Sequence, residues 1–110
     1  MATYRVHMLA FQPEYCLRHV VVPDGIEDTD QLREKIWEQG QNMFCNVPGI
    51  CSLSAGDVME IDGEYHLILG LGFAVITAEQ LKAYKAIPQR DRSLITMRDA
   101  PEVLELLSKS

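Results

Sequence analysis

The sequence predicts an α+β domain built on a single, mostly antiparallel sheet of about five strands. Apolar and β-branched segments fall into two groups, over 4–22 and 57–76, and amphipathic segments with capping residues lie between and after these groups. Asp62-Gly63 has the composition of a two-residue type I′ turn, in which both central residues need a positive φ. Strand groups that are separated from helices in this way are typical of α+β proteins.

The boundaries of the elements come from turn and capping residues. Two predicted strands, 4–11 and 15–22, form an N-terminal hairpin over 4–22. Two more, 57–61 and 64–69, form a C-terminal hairpin over 57–69. A further strand is predicted over 73–76, and a short strand over 93–97. Predicted helices that pack against the sheet cover 28–39, 77–86 and 99–107.

Two of the helices have clear start and stop residues. Asp28 is in the N-cap position of the first helix, and Gly40 follows the last residue of that helix. Thr77 and Gln80 form a capping box at the start of the second helix, and Pro88 ends it. These residues define the two helices better than hydrophobic periodicity alone.

Length and composition indicate one domain over 1–110 and exclude several classes of function. A chain of 110 residues that is 47% hydrophobic can bury a core without disulfides or a metal. Its net charge of −6 opposes direct binding to nucleic acid or to an anionic lipid surface, because both need a basic protein surface. No apolar segment approaches the ~20 residues of a membrane span, and the N-terminus lacks a secretory pattern, so we expect a cytoplasmic protein.

The cysteine and histidine residues form no recognisable metal or catalytic motif. Cys16 and His19 are separated by two residues, which on a strand places their side chains on opposite faces. Cys45 and Cys51 lack the spacing of a zinc knuckle, and no sequence feature brings a histidine next to either thiol. We therefore expect no catalytic residue, no metal and no cofactor.

The predicted first helix has an acidic face whose members recur at about every fourth position. With the residue just before the helix, these members are Glu27, Asp30, Glu34 and Glu38. Such a face suits a basic surface on a partner protein. It also suits ordinary solvation, because Arg33 and Lys35 lie three residues from two of the acidic groups and can pair with them.

The segment 41–54 is the longest one without a predicted helix or strand, and it is unusually apolar for a connection. Its apolar side chains include Met43, Phe44 and Ile50. An apolar connection either folds onto the core or forms an interface. Because long connections often contain binding residues, these three side chains join the acidic residues as candidate binding residues.

The segment Ser52-Leu53-Ser54-Ala55-Gly56-Asp57-Val58, with Gln41-Asn42 before it and Gly72-Phe73 after it, resembles the YodL-like family of small proteins of phages, plasmids and other mobile elements. The resemblance covers residues 30–76, although the family usually has valine at the position of Ala55 and a longer hairpin. It implies an α+β domain encoded by a mobile element, and it implies no reaction. We expect the motif glycines and Asp57 to shape the backbone.

The leading hypothesis is a non-enzymatic accessory or binding protein of a phage or mobile element, which acts by protein–protein contact through the acidic face. A host or phage protein is the expected partner, for example a component of a host defence system that the chain inhibits. The first alternative is a module that binds a small molecule or peptide as a homo-oligomer, because the segment 41–54 is apolar. The second alternative is a small enzyme with a Cys/His site.

Overall fold

A computed structural model of the chain describes residues 1–11, 14–41 and 52–108. These residues contain the strands β1 (Ala2–Met8), β2 (Cys16–Val22), β3 (Val58–Ile61), β4 (Glu64–Ile68) and β5 (Phe73–Ile76). They also contain the helices α1 (Thr29–Gln39), α2 (Ala78–Ala86), α3 (Gln89–Ile95) and α4 (Ala100–Ser108).

The strands form one antiparallel sheet in the order β2-β1-β3-β4-β5. Three pairs of consecutive strands, β1 with β2, β3 with β4 and β4 with β5, form hairpins, and the pairing of β1 with β3 joins the N-terminal hairpin to the C-terminal strands. The predicted α+β fold with one mostly antiparallel sheet is therefore confirmed. The long-range pairing of β1 with β3 is the contact that brings distant polar residues together.

The turn between β3 and β4 has the conformation that its sequence predicts. Asp62 has a φ of 48° and Gly63 has a φ of 82°. Positive values at both positions are the requirement of a type I′ turn. The strands consequently pair in register from Ile61 opposite Glu64 onward.

The helices begin at the predicted capping residues. The Asp28 carboxylate accepts hydrogen bonds from the backbone N–H groups of Asp30 and Gln31. At the start of α2, the Thr77 hydroxyl accepts from the backbone N–H of Gln80, and the Gln80 side chain accepts from the backbone N–H of Thr77. This reciprocal capping box satisfies two N–H groups that have no partner within the helix.

α1 ends before Gly40, but the reason for glycine is close packing rather than a left-handed backbone. The φ of Gly40 is −81°, which any residue can adopt. A Cβ atom at this position would lie 2.4 Å from Cδ1 of Leu53, which is buried. A larger residue here would have to displace the Leu53 side chain, which packs directly against the end of the helix.

The predicted strand 4–11 is too long at its C-terminal end, because β1 ends at Met8. The next two backbone N–H groups, those of Leu9 and Ala10, donate to the carboxylate of Asp57 instead of to a neighbouring strand. A side chain thus replaces the strand ladder at this point, and the chain leaves the sheet.

The predicted strand over 93–97 is wrong, because most of this segment belongs to α3. The helix starts directly after Pro88, whose carbonyl accepts a hydrogen bond from the backbone N–H of Arg92. The guanidinium of Arg92 then donates to the carbonyl of Leu9 at 2.9 Å and to the carbonyl of Ile87. These contacts outweigh the local strand preference of the β-branched residues in the segment.

The helices cover the two faces of the sheet unequally. α1 packs on one face, where Leu32 and Ile36 join a core with residues of β1, β2 and β3. α2 and α4 pack on the other face, where Leu81, Tyr84 and Val103 join a core with residues of β3, β4 and β5. On this second face, β1 and β2 have exposed side chains.

Candidate functional site

The candidate site is the part of the second sheet face that α2 and α4 do not cover. We call this surface the open half-sheet. It consists of the residues of β1 and β2 that alternate toward that face, namely Thr3, Arg5, His7, Leu17, His19 and Val21. Leu17 is 36% exposed and Val21 is 46% exposed. These apolar side chains lie on the same face of β2 on either side of His19, so the surface is partly apolar and partly polar.

The register of the strands places polar residues from different parts of the chain in one row across this face. Arg5 on β1 lies opposite Glu60 on β3, and Glu60 lies opposite Tyr65 on β4. On the outer side, His19 lies opposite Arg5. Residues that are directly opposite on one sheet face have Cβ atoms about 5 Å apart, so the members of this row interact.

His7 is the most buried polar residue of the open half-sheet, with 7% exposure. Its Nδ1 atom is 2.7 Å from Oη of Tyr15, and its Nε2 atom is 3.2 Å from Oε1 of Glu60. The centroid of the His7 ring lies 5.8 Å from that of Tyr15 and 5.7 Å from that of Tyr65. The imidazole is therefore fixed by two hydrogen bonds and two aromatic contacts.

The protonation of His7 and Glu60 follows from their surroundings. Burial lowers the pKa of His7, so the imidazole is neutral at neutral pH. Burial alone would raise the pKa of Glu60, but hydrogen bonds from His7 and Arg5 outweigh it and lower that pKa. Since the ionised carboxylate only accepts hydrogen bonds, Nε2 of His7 donates to Glu60, and Nδ1 accepts from the Tyr15 hydroxyl.

Two cations contact Glu60 and Tyr15, the hydrogen-bond partners of His7. Arg5 is paired with Glu60, although 54% of the Arg5 side chain is exposed. Nζ of Lys85, on α2, lies 4.2 Å from the centroid of the Tyr15 ring in a cation–π contact. We call the set formed by Arg5, His7, Tyr15, Glu60, Tyr65 and Lys85 the His7 cluster.

The order of a hydroxyl, an imidazole and a carboxylate in the His7 cluster is also that of a proton relay in hydrolases. The surroundings favour a fixed surface over a relay. The imidazole is almost fully buried between two tyrosine rings, which keeps a reactant away from it. Oε1 of Glu60 is engaged by His7 and Oε2 by Arg5. The cluster thus holds its side chains in fixed positions.

A second polar cluster lies at the start of β3 and is structural. The carboxylate of Asp57 accepts hydrogen bonds from the backbone N–H groups of Leu9 at 2.8 Å, Ala10 at 2.9 Å and Ser54 at 2.9 Å. Asp57 is 1% exposed. Burial raises the pKa of its carboxyl group, and the three hydrogen bonds oppose that shift.

The buried phenol of Tyr84 completes this second cluster. Its hydroxyl donates to the carbonyl of Gly56 at 2.8 Å. Gly56 has a φ of 106°, and a Cβ atom there would lie 3.1 Å from the Cβ atom of Ala10, so glycine is needed for both conformation and space. We call Leu9, Ala10, Ser54, Gly56, Asp57 and Tyr84 the Asp57 cluster. The motif residues 54–57 thus shape the backbone, as expected.

The acidic face of α1 lies on the opposite side of the sheet from the His7 cluster. Glu27, Asp30 and Glu34 are exposed, and Glu38 is partly buried. Asp30 is paired with Arg33, and Glu38 is paired with Lys35 at 3.5 Å. Local pairing therefore reduces the acidic character of this face. The other candidate binding residues, Met43, Phe44 and Ile50, lie outside the described residues.

The cysteine residues do not meet the His7 cluster within the described part of the chain. Cys16 packs against the core under α1, whereas His19 is exposed on the open half-sheet, so their side chains lie on opposite faces as predicted. Cys45 and Cys51 lie outside the described residues. Among residues 1–11, 14–41 and 52–108, no group of three or more His, Cys, Asp or Glu side chains is arranged to hold a metal ion.

None of the helices formed by the described residues combines the length and the apolar character that crossing a bilayer requires.

The sequence alone does not predict the His7 cluster, because its members come from distant positions. The one local signal is that Arg5 and His7 share a face of the first predicted strand. Their partner Glu60 is more than fifty positions away in the sequence, and Lys85 comes from a helix. Only the pairing of β1 with β3 and the position of α2 bring these residues together.

Comparison of the chain with protein-family models, with curated proteins and with solved structures found no match. A proposal about function therefore depends on the geometry of the open half-sheet.

Proposed function

We propose that this protein is a non-enzymatic binding protein that acts by protein–protein contact, and that the open half-sheet is its contact surface. The supporting observation is that the fixed His7 cluster borders exposed apolar side chains on this sheet face. Protein interfaces combine an apolar centre with a polar rim, and tyrosine and arginine are enriched among their strongest contacts. The open half-sheet has this composition.

The aromatic packing around His7 favours a protein over a small molecule as the partner. Small-molecule sites are concave, whereas here the ring of His7 packs against those of Tyr15 and Tyr65. A groove of about 730 Å³ lies elsewhere, between α2 and α3, and Lys82, Ala86 and Pro88 are among the residues that line it. The groove shares no residue with the His7 cluster.

The acidic face of α1 is a second candidate surface. Glu27 and Glu34 are exposed there, and they suit a basic surface on a partner. For either surface, we propose a host or phage protein as the partner, such as a component of a host defence system that the chain inhibits. This part of the proposal follows from the resemblance to proteins of mobile elements.

Site-specific photo-crosslinking in an extract of host cells tests the proposed surface. A photoreactive benzoylphenylalanine replaces Leu17 or Val21 in two variants, Glu34 in a third, and Val75 in a fourth. Val75 is a matched control, because it is 44% exposed on a strand but lies on the opposite face of the sheet. We expect a discrete adduct from positions 17 and 21 and none from position 75.

The other outcomes of this experiment are equally informative. An adduct of two copies of the chain at positions 17 and 21 supports the homo-oligomer alternative. An adduct at position 34 alone indicates that the acidic face of α1, and not the open half-sheet, is the contact surface. Two outcomes contradict the proposal that the open half-sheet is the contact surface. One is the same adduct at position 75 as at position 17, and the other is no adduct at positions 17 and 21.

A further inference from the structure

The His7 cluster, which borders the open half-sheet, has a net charge opposite in sign to that of the whole chain. The chain has a net charge of −6, whereas the His7 cluster contains two cations, Arg5 and Lys85, and one carboxylate, Glu60. Both oxygens of Glu60 are already engaged by His7 and Arg5. Lys85 lies over the neutral ring of Tyr15, so its positive charge is available to a partner.

Apolar side chains lie next to these cations on the same face. Leu17 is directly opposite His7, and Val21 is directly opposite Thr3. A small anion would leave both apolar side chains in contact with water. An extended protein segment presents every second side chain to a sheet, so it can contact the cations and the apolar residues together.

We propose that the open half-sheet binds an acidic segment of a partner protein, and that Arg5 and Lys85 determine the preference for acidic over neutral or basic segments. This inference rests on the proposed function and adds the chemistry of the partner. Complementary charge raises the rate of association and excludes wrong partners.

Nucleic acid is the other class of polyanion, and the open half-sheet suits it less well. Affinity for nucleic acid grows with the number of phosphates that a protein neutralises, and the His7 cluster offers two cations. Bases stack on accessible aromatic faces. Tyr15 is 47% exposed, but its ring already contacts His7 and Lys85, and the ring of Tyr65 also contacts His7.

Titration of the isotope-labelled protein with short capped peptides, followed by amide chemical shifts, tests this inference. The peptides alternate leucine with glutamate, with glutamine or with lysine. We expect the glutamate peptide to shift the signals of 3–7 and 17–21, and to bind at least about fivefold more tightly than the glutamine peptide at low salt. The difference should shrink in about 0.5 M salt, because salt screens exposed charges.

Matched variants assign the preference to the two cations. Arg5→Gln combined with Lys85→Gln should remove the preference for the glutamate peptide, whereas Arg5→Lys combined with Lys85→Arg should retain it. Lys82→Gln combined with Arg90→Gln removes two exposed cations from α2 and α3 and should leave the preference unchanged. The amide spectrum of each variant reports whether it is folded.

The outcomes distinguish this inference from the proposed function. Equal binding of the glutamate and glutamine peptides, or no shift with the glutamate peptide, overturns the inference, while cross-linking at Leu17 and Val21 would still support the proposed function. Failure of both experiments overturns both. A final titration uses single-stranded oligothymidine. If this probe binds the same residues more tightly than the glutamate peptide does, the proposal that the partner is a protein is overturned.

Discussion

The Asp57 cluster lies just after β1 and just before β3, and the His7 cluster is centred on these two strands, yet the clusters differ in what their polar groups bind. The Asp57 carboxylate is buried and accepts three backbone N–H groups. In the His7 cluster, side chains bind one another at the border of the covered sheet, and Arg5 is largely exposed. The difference indicates that the bonds of the Asp57 cluster to the backbone define the fold, and it agrees with our proposal that the His7 cluster belongs to a binding surface.

The largest expected effect is on stability, from Asp57→Ala. This substitution leaves three backbone N–H groups without their acceptor in a buried place, so the free energy of unfolding should fall by about 3 kcal/mol or more. Urea denaturation measures the loss. The matched control is Asp91→Ala, in the exposed first turn of α3, which should change the free energy of unfolding by less than about 0.5 kcal/mol. Similar losses in the two variants would contradict a structural role for the Asp57 cluster.

A smaller effect on stability is expected from removing one tyrosine hydroxyl group in each cluster. Tyr84→Phe removes the donor to the buried carbonyl of Gly56 and should lower the free energy of unfolding by about 1–2 kcal/mol. Tyr15→Phe removes the donor to His7 at a half-exposed site and should lower it by less than half as much. Thermal unfolding of both variants measures the difference, and the opposite order would remove the distinction between the clusters.

The smallest effect is a dependence of stability on pH. Burial lowers the pKa of His7 and of His66 below 6.5 in the folded protein, so the unfolded chain binds protons first as the pH falls. The folded state therefore binds fewer protons below about pH 6.5, and the free energy of unfolding should decrease as the pH drops through that value. His7→Gln should remove part of this decrease, and His66→Gln should remove another part. Unfolding curves from pH 7.5 to 5.0 check both variants, and unchanged slopes would refute the assignment.

Most of the fold could be predicted because its determinants are local. Asp62 and Gly63 specify their turn by their own backbone preferences, and Thr77 and Gln80 complete a capping box within four residues. The errors arise where a distant group changes the local outcome. The first strand stops at Met8 because Asp57 takes the next two N–H groups, and the segment 93–97 is mostly helical because Arg92 binds carbonyl groups of other segments.

The candidate site could not be predicted for the same reason. His7 and Glu60 meet only because β1 pairs with β3, and Lys85 reaches Tyr15 only because α2 lies beside that end of the sheet. Composition reports the net charge of the chain and cannot show where the cations are placed. The acidic face of α1 can be predicted from the sequence because three residues of one helix and one residue just before it create this face, and its partial neutralisation by Arg33 and Lys35 is equally predictable.

The most direct test of the difference between the clusters compares cations that have different partners. Arg92 donates to the backbone carbonyls of Leu9 and Ile87, whereas Arg5 pairs with a side chain and Lys85 contacts a ring. Urea denaturation should show that Arg92→Gln lowers the free energy of unfolding by about 1–3 kcal/mol. Arg5→Gln combined with Lys85→Gln should lower it by less than about 1 kcal/mol, as expected for exposed pairs. A loss in the double variant that equals or exceeds the loss in Arg92→Gln would contradict the proposal that the His7 cluster forms a binding surface rather than stabilises the fold.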